Sequence, residues 1–395
     1  MRFSNSPVLV IVVAQLLGTS LWFSANSAAG SLMQAWELSE ADIGLLTNAV
    51  QFGFITGTLT FALSGLADRF DASRIFAICA GLGALFNALF ALTSDGLASG
   101  LPLRFAVGFC LAGVYPLGMK LIVSWVPERA GHALSQLVGM LTLGAALPHG
   151  IRLAGADWPW QYSILVSSLL ALLAAFMIGT LGDGPHLKRR VGAAHIRLGR
   201  VLTAFTIPQF RASALGYFGH QWELYAFWTL VPAFIVASGL AERGTPGLSG
   251  ITFLIIGVGT FSCLLGGWWS QRIGSARVAA IALAGSAFSC ALYPLMPTDH
   301  PTWLLALLLF WGATVIADSP HFSALSAKAC PPEIVGSALT LQNAIGFAIT
   351  MVSIQIGTAI VDQLGLYTAW LLLPGPLFGL WGLAPLWRKT APPQA

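Results

Sequence analysis

The sequence predicts an all-α polytopic membrane protein of twelve transmembrane helices, arranged as two six-helix bundles related by a pseudo-twofold axis. Three observations carry that prediction. The 395-residue chain is 56% hydrophobic and only 9% charged, with a mean hydropathy of +0.78. A soluble domain carries roughly 25% charged residues, so this complement cannot build a water-facing surface for so long a chain. Apolar segments recur at lengths near the ~20 residues that cross a bilayer. The two halves of the chain also echo one another. Soluble enzymes, disordered chains and secreted disulfide scaffolds are excluded.

In chain order the apolar segments are approximately 8–33, 42–67, 75–94, 97–124, 131–153, 159–181, 212–238, 248–270, 277–297, 302–325, 335–361 and 366–387. Glycine and some proline occur within them, as membrane helices tolerate. The longest interruption, Gly182–Arg211, holds Lys188, Arg189, Arg190, Arg197 and Arg200. It divides the chain into an N-terminal bundle (1–182), a cytoplasmic central loop (183–211) and a C-terminal bundle (212–395). The N-terminus, one arginine before a long apolar run, reads as a first spanning helix and not as a signal peptide. Lys and Arg concentrate on one set of loops: Arg2, Arg69, Arg74, Arg129, the central cluster, Arg211, Arg272, Arg277, Arg388 and Lys389. The other set holds Arg152 and Arg243 with Glu37, Glu40, Asp95, Asp299 and Asp362. The positive-inside bias then puts both termini in the cytoplasm, with the protein in the inner (plasma) membrane.

The five cysteines, Cys79, Cys110, Cys263, Cys290 and Cys330, lie singly in or beside apolar stretches and form no metal or disulfide pattern. They read as small packing residues. The net charge of +4 is dispersed, with no basic face for nucleic acid. No cofactor motif appears, and no G-x-x-x-x-G-K-[ST] for ATP hydrolysis.

Pro127-Glu128-Arg129-Ala130-Gly131-His132-Ala133-Leu134 recurs as Pro332-Glu333-Ile334-Val335-Gly336-Ser337-Ala338-Leu339. The loop after span 2 pairs Arg69 with Arg74, and the loop after span 8 pairs Arg272 with Arg277 at the same spacing. Two echoes at equivalent points of the topology indicate a duplicated six-helix unit, as in transporters that rock two halves about a midplane site.

Gly65-Leu66-Ala67-Asp68-Arg69, with Arg74 downstream, resembles the loop signature G-x-x-D-R of the major facilitator superfamily of secondary transporters. Gln271 replaces the acid in the second copy, and Arg104-Phe105-Ala106-Val107-Gly108 resembles that family's span-4 motif R-x-x-x-G. With the 6+6 layout, the resemblance covers the whole chain. It implies a conformational latch at Gly65, Asp68, Arg69, Arg74, Arg272 and Arg277, alternating access and a monomer. The antiporter signature in span 5 is degraded: Leu147 stands where a glycine should precede Pro148.

A charge inside a spanning helix costs at least ~2.5–3.5 kcal/mol on insertion scales. The intramembrane charges fall on spans 4, 7 and 10: Arg104 and Lys120, Glu223 with His220, Asp318 with His321 and Lys328. Spans 1, 4, 7 and 10 line the central cavity of the resembled fold. His220 and Glu223 share a helix face that Phe227 continues. A carboxylate beside an imidazole can load and release a proton, or else form a structural hydrogen-bonded cluster. Glu223, His220 and Asp318 are the candidates for proton coupling. Asp318 and His321 repeat the spacing and could pair with Lys120 or Lys328. Arg104 can bind an anionic group, or it snorkels to an interface. Lys120 lies about 160° around an ideal helix from it, so the two form no single clamp unless Pro116 reorients the helix. Trp22, Asn26, Tyr217, Phe227, His321 and Gln342 complete the candidate substrate contacts, each weighed against a helix–helix packing role.

The expected function is proton-coupled movement of a small anionic or zwitterionic organic solute by alternating access. Proton-driven multidrug efflux is the main rival. A non-transporting sensor on the same scaffold is the rival from another class, and an intramembrane enzyme lacks a nucleophile, base and orienter set. The expected partners are the solute, the proton and the bilayer.

Overall fold

The computed structural model describes residues 6–187, 201–331 and 334–388, without the side chains of Ala67, Asp68 and Ala130. The basic cluster Lys188–Arg200 and the Pro332-Glu333 part of the sequence echo lie outside the described residues. Among the described residues the chain is helical throughout, with short 3₁₀ turns and no strand.

Span 1 is broken into Pro7–Thr19, Ser24–Ser27 and Ala29–Trp36. Spans 2 and 3 are Glu40–Ser64 and Ala72–Thr93. Span 4 runs as Leu97–Leu111 and then Tyr115–Trp125, and spans 5 and 6 are Ala130–Ala154 and Trp160–Leu181. Span 7 is the unbroken helix Pro208–Ala237. Span 8 is Pro246–Gly257 and Gly259–Ile273, span 9 is Ser275–Leu292, and span 10 is Pro301–Ala317 and Ser319–Ala329. Span 11 is Val335–Leu364, and span 12 is Ala369–Leu372 with Pro374–Trp387. An even number of crossings puts Pro7 and Trp387 on one side, here the terminal side; the other is the far side.

The boundaries follow local chemistry. Ser39 and Asp42 form a reciprocal capping box at the start of span 2. Gly65, at φ 66°, ends that helix in the left-handed region. Span 7 starts at Pro208, inside the segment expected to be loop, because proline at the first helical position needs no N–H partner. Eight helical stretches are long and apolar enough to cross a membrane, one of them joining spans 11 and 12. Span 1 is excluded from that set by its break. Spans 2 and 7 have the length but carry Asn48 and Gln51, and His220, Gln221 and Glu223, respectively.

The two halves repeat one packing scheme. Spans 2 and 4 meet where a Cβ on Gly53 or Gly108 would collide with the carbonyls of Phe105 or Val50. Spans 8 and 10 meet the same way, at Gly312 against the Ile255 carbonyl. Small residues that let backbones touch are how membrane helices associate without a hydrophobic driving force. Between the halves, span 2 packs on span 11 and span 5 on span 8. Asn48 Nδ2 donates to the Met351 carbonyl (3.0 Å) and to Gln355 Oε1 (3.2 Å), and Thr260 Oγ1 donates to the Gly139 carbonyl (3.1 Å). Glu40 and Arg243 close the far side with an ion pair. All five cysteines are free and buried.

Candidate functional site

Span 7 carries two polar stripes on different faces. Tyr217, Gln221, Leu224 and Tyr225 recur at helical spacing and line a small cavity at the junction of the halves. Tyr115 of span 4, with Asn343 and Phe347 of span 11, supplies the opposite walls. His220, Glu223 and Phe227 form the second stripe, which points into the C-terminal bundle toward spans 9 and 10.

The cavity is roofed by aromatic rings from both halves. Trp22 lies 5.0 Å from Phe54, 5.4 Å from Tyr225 and 5.9 Å from Phe347, centroid to centroid. Phe54 and Phe347 meet at 4.5 Å, and Tyr225 and Phe347 at 5.1 Å. Trp22 is 1% exposed, and its indole Nε1 donates to Gln51 Oε1 at 3.2 Å. Such contacts contribute about 0.5–1.5 kcal/mol per pair beyond area burial. The cluster therefore holds spans 1, 2, 7 and 11 together and separates this cavity from a second one on the far side. At the cavity itself, Gln221 Nε2 donates to the Tyr217 hydroxyl, and Thr350 Oγ1 donates to the Gln221 carbonyl at 2.6 Å.

On the second stripe His220 Nδ1 is 2.8 Å from Asp318 Oδ1, both essentially inaccessible to solvent. Lys120 and Lys328 are the partners the sequence leaves open for Asp318; the structure sets His220 of span 7 beside it. Helix 10 breaks at Asp318, ahead of Pro320, which brings the carboxylate into reach of span 7. Glu223 does not share that pair. Its Oε1 accepts from Trp311 Nε1 (2.5 Å) and from Cys290 Sγ (3.4 Å), so it bridges spans 7, 9 and 10. Phe227 stacks on Trp311 at 4.4 Å and packs inside the C-terminal bundle, away from the central cavity. His321 is buried beside Gly266, and its Nε2 has no hydrogen-bond partner among the described residues. Gln342 is buried, its Oε1 without a hydrogen-bond partner among the described residues, one position from the cavity-lining Asn343.

Arg104 neither snorkels nor faces the central cavity. It is fully buried, and its guanidinium donates to Asn87 Oδ1 (2.8 Å), Ser24 Oγ (3.2 Å) and the carbonyls of Leu21 (3.1 Å) and Trp22 (2.7 Å). Those two carbonyls are set free by the break in span 1, and buried backbone acceptors must be satisfied. Phe90 lies beneath the guanidinium at 5.5 Å. Arg104 thus fixes the turn from which Trp22 projects. Lys120, half-buried, lies in the segment of span 4 beyond its break. Asn26 Nδ2 donates to Thr47 Oγ1 at 2.8 Å and lines the far-side cavity.

The latch residues lie on the terminal side. Gly65 takes the left-handed turn that the motif needs; the Asp68 side chain lies outside the description. Arg69, Arg74, Arg272 and Arg277 are exposed, and Arg272 stacks on Trp268 at 4.1 Å. Among the described residues no ion pair joins these arginines to the other half.

Sequence reasoning passed over Tyr115, Gln221, Tyr225 and Phe347. The wheel of span 7 holds the missing signal: Tyr217, Gln221 and Tyr225 are spaced as one face, separate from that of His220 and Glu223. The positions of Tyr115 and Phe347 depend on tertiary packing and carry no local signal.

The profile of the family described as Major Facilitator Superfamily matches residues 11–353 and 213–395. The 3-(3-hydroxy-phenyl)propionate transporter of Escherichia coli (strain K12) is 30% identical over 166 residues, 42% of this chain and 40% of that relative's length. Two solved structures share the fold. The D-xylose-proton symporter superposes with a TM-score of 0.76 at 15% identity over 98% of each chain. The nucleoside transporter NupG gives 0.70 at 14% identity, over 96% of this chain and 98% of that one.

Proposed function

Because the chain belongs to the major facilitator superfamily, we propose that it is a proton-coupled transporter of small aromatic carboxylates, working by alternating access. The observation that carries this reading is the division of labour on span 7. One stripe presents phenolic rings and an amide to a cavity between the halves. The other, on the same helix, presents His220 to Asp318. Tyr115, Tyr217, Tyr225 and Phe347 offer ring faces and edges to a planar aromatic solute, for which offset and edge-on contacts are favourable, once the halves part enough to widen the cavity. The relative that handles an aromatic propionate supports the same solute class.

Coupling follows from electrostatics. An organic anion entering a low-dielectric site is costly unless charge is compensated. The His220–Asp318 pair can take up one proton for each solute carboxylate carried, so that the loaded and the empty carrier cross with the same net charge. Glu223, held by donors from two other spans, serves to position spans 9 and 10. Charge distribution supports cytoplasmic termini, and the carrier is proposed to act as a monomer.

The test is uptake of 3-phenylpropionate into proteoliposomes under an imposed proton gradient. Asp318→Asn and His220→Gln are expected to lose gradient-driven accumulation at least tenfold while retaining exchange of labelled for unlabelled solute. Retained accumulation in both variants would remove the pair from coupling. Gradient-driven movement of lipophilic cations, with none of carboxylates, would replace this reading by drug efflux.

A further inference from the structure

The far-side cavity carries a constellation that the central site does not use. It is lined by Asn26, Ser31, Glu40, His149, Arg152 and Arg243, among others, and lies between span 1, span 5 and the start of span 8. Arg152 projects from the last turn of span 5. Its guanidinium donates to the Trp158 carbonyl at 2.7 Å, and contacts Ser31 Oγ (3.4 Å) and the Gly155 carbonyl (3.5 Å), all neutral acceptors. Among the described residues it pairs with no carboxylate. One turn earlier, His149 is 3% exposed, and its Nε2 has no hydrogen-bond partner among the described residues. Arg243 is tied to Glu40 across the two halves. The ledger of the lining is two guanidiniums against one carboxylate, which leaves one uncompensated positive charge beside a buried, unpartnered imidazole.

We propose that this cavity is a second, peripheral binding site for a monocarboxylate, with Arg152 as its anchor and His149 Nε2 as a further polar contact. A guanidinium satisfied only by neutral oxygens gains when an ionised carboxylate joins it, because charge-assisted bonds are roughly twice as strong. The bound anion also lies next to the Glu40–Arg243 pair and competes with Glu40 for Arg243. Occupation of the cavity therefore weakens the tie that closes the far side. The inference rests on the carboxylate class proposed above, but it concerns a different place: the solute is met at the far side before it reaches the aromatic cavity.

The test uses purified full-length protein carrying Ser31→Cys as a reporter, since the native thiols are buried. Labelling by a charged maleimide is followed with 3-phenylpropionate or its neutral analogue 3-phenylpropanol. Protection by the carboxylate alone is expected, with a half-protecting concentration raised about tenfold or more by Arg152→Gln. Arg152→Lys, which keeps the charge, is expected to restore most of the protection and so separates recognition from misfolding. Equal protection by both compounds, or none by either, overturns the proposal. Protection without any transport of aromatic acids would leave this site standing and overturn the transport reading instead; transport without protection does the reverse.

Discussion

Arg104 illustrates how a buried charge can be fixed without an acid. Its four acceptors come from spans 1 and 3, and two are carbonyls that a continuous span 1 would have bonded itself. Replacing Arg104 with Gln orphans several buried acceptors, each worth about 1–3 kcal/mol. A lowered midpoint of thermal unfolding is expected, and Lys, which lacks the planar fork, should recover only part of it. An unchanged midpoint in Arg104→Gln would sink this account. At this scale the sequence was legible for chemistry and not for partners. The expense of an intramembrane charge singles out Arg104, His220, Glu223 and Asp318 from the sequence alone. Which atom each one meets depends on helix breaks at Ser20–Phe23 and Asp318, and nothing local in the sequence marks the first of these.

The elements pair through glycine seams, and these set their own tolerances. A methyl group on Gly108 would strike the Val50 carbonyl, and one on Gly312 the Ile255 carbonyl, both on backbone that cannot swing aside. Gly108→Ala or Gly312→Ala is therefore expected to reduce monodisperse protein several-fold on size-exclusion chromatography. Gly131→Ala meets nothing within 4 Å and serves as the control. Normal recovery of the two seam variants would show that spans 2 and 4, or 8 and 10, can part without penalty. The spans themselves are largely readable from hydropathy, including their order and rough limits. The interruptions are less so, because a break of a few residues barely alters an average taken over twenty. Span 7 shows the same limit from the other side, since its polar stripes lower the hydropathy of a helix that is nevertheless continuous.

For the whole molecule, the halves are joined at the far side by Glu40–Arg243 and Asn48–Gln355, and at the centre by the Trp22 cluster. The alternating access proposed above requires those contacts to part. A short bifunctional thiol reagent joining Asn48→Cys to Gln355→Cys is therefore expected to abolish solute exchange, with recovery when a cleavable version is reduced. Exchange that survives complete cross-linking would show that spans 2 and 11 need not separate. The duplication of the six-helix unit was legible from the repeated loop arginines. The pairs that join the halves were not, since Glu40 and Arg243, and Asn48 and Gln355, lie 203 and 307 positions apart and carry no local signal.

The broken helices have a mechanical consequence. Bending a continuous helix means stretching its hydrogen-bond ladder, but Gly113, Val114 and Phe261 bond only three residues back and Pro320 has no N–H, so the ladder is already interrupted in spans 4, 8 and 10. Flexure there costs little, and compliance is placed in spans 4, 8 and 10 in advance. The interruption in span 1 differs, because Arg104 has taken up the freed carbonyls and turned that joint into a stiff elbow. The aromatic roof is thus carried on a bend whose freed carbonyls Arg104 holds, whereas no such clamp is seen among the described residues at the other three joints.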